Sequence, residues 1–227
     1  MKRVFFLATL FCLSTIAAFP QKSKTPVKSN ASKQTPAQPL KVIPDADWRV
    51  LIDAVEAESW EKSATLAARY LTKIKIENDK KQLARLRYIL LYATAGKIVS
   101  ASFAGKKPEE NKARVELKNA ADGFLEKEFF MPSREISGDC EGKLNFICGS
   151  KQQKNVLRVT ATNRAGTAIY SFDYIRLKEN FRLTENIGKH AVIGGVMKKI
   201  EFNPNESNVW IMRLFFENGS VNIVPEQ

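Results

Sequence analysis

Two of the three cysteines (Cys12 lies in the apolar run near the start), one histidine and a row of aromatic residues are the side chains from which this sequence could build chemistry. Cys140 and Cys148 are separated by seven residues. In an oxidising compartment such a pair most simply closes one disulfide. The other readings are two buried thiols or a redox couple, although redox couples favour Cys-x-x-Cys at a helix start. His190 is the only histidine. A Ser-His-acid triad would have to pass through it, and a zinc site would have to complete itself from carboxylates and the two cysteines. Neither spacing is present, and His190 in Gly188-Lys-His-Ala191 reads as a turn residue opening a strand. Walker, dinucleotide and His-Glu-x-x-His patterns are absent. No catalytic residue, metal ligand or cofactor is therefore assigned. Hydrolysis by carboxylates alone leaves no sequence pattern to test.

Tyr170, Phe172 and Tyr174 alternate in Thr167–Leu177, with Arg158 and Arg176 on or beside the same run of strands. On an exposed sheet such a row stacks bases or sugar rings, and the arginines meet phosphate or acidic groups. The same alternation is also what a buried strand face looks like, and aromatic stripes in strands mostly pack into a core. Trp210, Met212, Leu214 and Phe216 alternate in the same way and are expected to be core.

The compartment is read from the first residues. Lys2 and Arg3 precede an apolar run from Val4 to Ala18 that ends in small residues, the pattern of an export signal cleaved near Ala17 or Ala18. The run is shorter than the roughly 20 residues a membrane span needs. Residues 1–18 are thus expected to be a signal peptide, and residues 19–43, rich in Pro, Ser, Thr, Gln and Lys, a disordered basic linker. The formal net charge is +12. Five lysines of that charge, Lys22, Lys24, Lys28, Lys33 and Lys41, sit on the linker without an acid. A nucleic-acid reading of the folded part is weakened accordingly.

The elements that must position these residues come in two kinds. Residues 44–105 read as helices. Trp48, Leu51, Ile52 and Val55 share one face, Ser59 caps a second helix, and Asn78 or Asp79 opens a third that closes on Gly96. Residues 106–227 read as a short helix over 109–121, then five to seven mostly antiparallel strands, with turns at Asn163–Gly166 and Asn218-Gly219 and a bulge or bend at Gly194-Gly195. The fold class is α+β, a helical hairpin or bundle followed by a small β-barrel.

The succession of a helix, a Ser59-Trp60 turn, a helix carrying Ala64 and Ala67, and Leu86–Lys97 with Gly96 at a turn resembles tetratricopeptide-type hairpins over residues 46–105. The resemblance implies a surface that binds protein or peptide. The strands, in length and order, look similar to exported OB-like barrels. Together these give the expected function: an exported, non-enzymatic binding protein whose partner is another envelope or extracellular protein. The alternative is a glycan or polyanion binder acting through Tyr170, Phe172, Tyr174, Arg158 and Arg176.

Overall fold

The structure is a computed structural model of the 227-residue chain, and it describes residues 43–74, 79–151, 153–204 and 210–225. The expected signal peptide and linker lie outside these residues. Four helices precede seven strands, the expected α+β order.

Helix α1 (Asp45–Glu56) begins after Pro44 with Asp45 and Asp47 in its first turn, where carboxylates meet the positive end of the helix dipole. The chain reverses through Glu58, and α2 (Trp60–Lys73) starts from Ser59. The Ser59 side chain makes no capping bond; its carbonyl accepts from the Ser63 hydroxyl instead. Helix α3 (Lys80–Phe103) is capped by Asp79, whose side chain accepts from the Gln82 amide at 2.9 Å.

Gly96 does not end α3. It lies within the helix, and a Cβ there would fall 2.4 Å from Cδ2 of Trp60. The glycine exists because the Trp60 indole is laid across the helix backbone, so no helix-closing turn of the tetratricopeptide kind forms at this point. Helix α4 (Lys107–Phe124) is longer than the expected 109–121 segment and opens with Pro108, whose missing N–H costs nothing in a first turn.

The strands are β1 (Glu128–Phe130), β2 (Arg134–Glu135), β3 (Ile147–Gly149), β4 (Val156–Thr162), β5 (Ile169–Leu177), β6 (His190–Phe202) and β7 (Trp210–Ile223). They form one sheet in the order β1-β6-β7-β5-β4-β3, with β2 also paired to β6. All pairs are antiparallel except β5 with β7. The sheet is open, with β1 and β3 at its ends, whereas the strand count had suggested a closed barrel. The register shift at Gly194/Val196 is the expected bulge. Asn218-Gly219, expected as a hairpin turn, is also a bulge: β7 runs straight through it, with Asn218 in the left-handed region at φ 53°.

The described residues fall within one compact unit. The main core runs from Trp60, Leu91 and Ile98 on the helices to Phe129, Tyr170, Leu214 and Phe216 on the strands. A smaller cluster around Leu51, Tyr70 and Leu86 holds the helices to one another. Arg87 adds a polar tie, donating to the Glu128 carbonyl at 2.8 Å.

Candidate functional site

Strand alternation assigns one sheet face to the helices and leaves the other facing away from them. On the helix side lie Ser171, Asp173 and Ile175, all buried. Tyr170 joins them, although it belongs by count to the row of Phe172 and Tyr174. Ala161 pairs with Ser171 but Thr162 pairs with Ile169, so Tyr170 is the extra residue of a bulge and turns to the other side. Its ring meets Trp60 and Tyr92 edge-to-face, with centroids 5.4 and 4.8 Å away, and it is 1% exposed. Tyr170 is a core residue, and the expected three-ring row is reduced to two.

Beyond Tyr170 the helix side carries a buried polar group of its own. Tyr88 on α3 donates its hydroxyl to Asp173 Oδ2 at 3.2 Å. Burial pushes Asp173 up to about 6, against the opposing pull of Ser171, Arg134 and Tyr88. Burial likewise raises Tyr88, and the neighbouring Asp173 raises it further.

The opposite face brings the other four expected residues together. Arg158 stands directly across from Tyr174, Arg176 across from Val156, and Phe172 across from Thr160. On the other flank of β5, Tyr174 pairs with Phe215 and Phe172 with Arg213. Tyr174 and Phe215 stack with centroids 5.2 Å apart and planes 11° from parallel. Phe172 lies 6.4 Å from Trp210, whose ring is covered by the Arg213 guanidinium at 4.4 Å. Lys199 stands over Phe215 at 5.5 Å and pairs with Glu201 at 2.6 Å. Cation–π contacts of this kind hold the long side chains down across the rings.

Trp210, expected in the core, therefore belongs to this outer face. Ile211 takes the buried place next to Met212, Leu214 and Phe216. The alternation that holds from Met212 to Phe216 breaks one residue earlier. Trp210, Phe215, Lys199 and Arg213 are the members of the face that the sequence reading missed. They come from β6 and β7, and only the pairing of β7 beside β5 places them next to Tyr174.

Two clefts flank Tyr174. One, of about 280 Å³, is bordered by Arg176, Lys199, Glu201 and Phe215. The other, of about 440 Å³, is bordered by Arg158 and by the loop closed by the Cys140–Cys148 disulfide. In that loop Lys151 reaches Glu141 at 3.4 Å and Asp139 at 3.8 Å. The Glu141 amide holds the Asp139 carboxylate below its usual range. Arg158 makes no ion pair among the described residues.

The helices offer a second surface. Trp48, Ile52, Ile89, Phe130, Pro132 and Val192 border an apolar groove of about 240 Å³ between α1, α3 and the β1–β2 corner. His190 is exposed and pairs with Glu135 at the sheet margin. Among the described residues no group of three or more His, Cys, Asp or Glu is placed to hold a metal ion, and no helix is long and apolar enough to cross a membrane. Comparison of the chain with protein-family models, with curated proteins and with solved structures found no match.

Proposed function

We propose that this chain is an exported, non-enzymatic binding protein that holds another envelope or extracellular protein against the helix-free face of its sheet. The observation that carries this reading is the assembly of Tyr174, Phe215, Trp210, Arg158 and Arg213 on adjoining strands, all partly exposed. Trp, Tyr and Arg are the residue types that dominate binding energy at protein interfaces, because they combine large apolar area with directional polar groups. Here they are held by a rigid sheet, so little ordering cost remains for binding. Export is supported by the Cys140–Cys148 disulfide, a bond that persists in oxidising compartments, and by the apolar run that follows Lys2 and Arg3.

A second reading keeps the face and changes the ligand to a glycan or polyanion. It is favoured by the two clefts on either side of Tyr174, each bordered by an arginine, Arg158 or Arg176.

One experiment separates these readings. The full chain and a Tyr174→Ala/Trp210→Ala variant serve as bait in crosslinked pull-downs from envelope and secreted fractions. A protein captured stoichiometrically by the first and lost by the second is the expected outcome. Capture of polysaccharide or nucleic acid in place of protein selects the second reading. Protein capture that ignores both substitutions moves the interface to the apolar groove around Trp48. The substitutions are on the surface face, so both proteins should give the same far-ultraviolet spectrum.

A further inference from the structure

Where the α1–α2 turn meets the β4–β5 hairpin, a cleft of about 430 Å³ opens away from the aromatic sheet face. Trp60 and Tyr92 form its apolar wall, meeting edge-to-face at 5.5 Å. Glu56 at the end of α1, Glu58 from the turn, Arg134 from β2 and Arg164 from the hairpin bring two charges of each sign to it. None of the four makes an ion pair among the described residues.

That pattern is costly at Arg134 and Glu58, the two that are partly buried. Arg134 is half-buried, and its Nη1 donates to the neutral side chain of Asn145 at 2.9 Å. Its Nε is buried without a hydrogen-bond partner. Among the described residues no carboxylate lies within ion-pair distance of this guanidinium, although its charge also acts on buried Asp173 and on Tyr88, and a neutral amide replaces lost solvation only in part. Glu58 holds φ at 53°, a left-handed conformation that side-chain-bearing residues rarely adopt. Strain of this kind persists only where the surroundings impose it, and it concentrates at functional sites. The Glu58 carboxylate accepts from the Arg164 amide, which fixes the turn against the hairpin. Tyr92 senses both charges: burial drives it up to about 12, Arg134 pulls it down and Glu58 pushes it up again.

We propose that this cleft binds a small zwitterion of the α-amino-acid type, with its carboxylate at Arg134, its ammonium at Glu58 and Glu56, and its side chain against Trp60 and Tyr92. A ligand of one sign would answer only half of the lining charges and be repelled by the rest. A net-neutral ligand carrying both groups answers all of them. The volume lies in the range of small-molecule sites, and an apolar wall with a few fixed polar groups is their usual composition. The site is independent of the sheet face and stands or falls separately from it.

The test is isothermal titration of the full chain with each of the twenty common free L-α-amino acids. At least one should bind saturably. Its N-acetylated and carboxamide derivatives, each lacking one charge, should bind about tenfold or more weaker, the scale of a lost charged hydrogen bond. Arg134→Gln should weaken binding equally. Because Arg134 also braces Asn145, the exposed Glu56→Gln and Arg164→Gln repeat the test at the rim without disturbing packing. Absence of saturable heat from every amino acid overturns the proposal. So does a derivative that binds as tightly as its parent, or binding undiminished by the Arg134, Glu56 and Arg164 substitutions.

Discussion

Asp173 has no exposure to solvent, and its Oδ1 and the Ser171 hydroxyl beside it lie buried without a hydrogen bond of good geometry. An aspartate placed there titrates near 6, well above the ordinary value of about 3.9. The folded chain therefore holds this proton more tightly than the unfolded chain does. The consequent stabilisation is full below about pH 4 and is lost as pH rises towards 6, after which a constant penalty of about 3 kcal/mol remains. Asp173→Asn keeps an acceptor for the Tyr88 hydroxyl and removes the charge. Urea unfolding of both proteins at pH 4.5 and 7.5 should show the variant gaining stability over the wild type as pH rises; a gap independent of pH would contradict this. Single residues were also where sequence reading was least secure. Period-two counting puts Tyr170 with Tyr174 and Trp210 with Met212, and both assignments fail because the count breaks locally. A bulge such as the one at Tyr170 is set by which strands pair, information that a local window of sequence does not contain.

At the scale of elements, α3 shows the same limit in another form. A glycine after an apolar helical stripe is a common stop signal, yet here the helix continues for seven residues beyond Gly96. The glycine answers a tertiary demand, the seat of the Trp60 indole. Gly96→Ala adds helix propensity of about 1 kcal/mol and simultaneously forces a methyl group to within 2.4 Å of the ring. Overpacking of this kind costs about 1–3 kcal/mol. The clash should win because the indole is itself confined by Tyr92 and Tyr170. Thermal unfolding of the variant should show a lowered midpoint, and an unchanged or raised one would mean that Trp60 moves freely. Elsewhere local signals sufficed. The start of α1, the Asp79 cap, the turn at Asn163–Gly166 and the Gly194-Gly195 bulge all stand where helix-start, turn and breaker chemistry put them. Each depends on neighbours within a few residues. The outer-face site does not, and only Arg158, Phe172, Tyr174 and Arg176 of it were legible.

For the whole molecule, helices and strands share their main core, so they are expected to unfold together. Replacing both Cys140 and Cys148 by Ser removes a short loop closure, with a loss of roughly 2.5 kcal/mol. Although the bridge lies in the strand region, the urea midpoint of the helical circular-dichroism signal should fall as far as that of the amide resonances of β6 and β7. Two separate midpoints would show that the helices stand without the sheet. The α+β order was readable because alternating strands and 3.6-period helices differ over many residues. Closure of the sheet was not readable, since it depends on how its end strands are met: among the described residues β3 meets only a single parallel bridge, Ile136 to Ile147, on its outer edge.

The parallel pairing of β5 with β7 has a consequence in time. Three of the six strand pairs join neighbours in sequence, but the two central strands meet only after all of β6 has been made. Contacts between distant segments carry a loop-closure cost that must be met before they stabilise anything, and they slow folding. A growing chain that stops short of Trp210 lacks the strand linking β5 to β6 and has no continuous sheet to pack on its helices. The last strand thus completes the sheet, and only then do the helices gain a continuous surface to pack on.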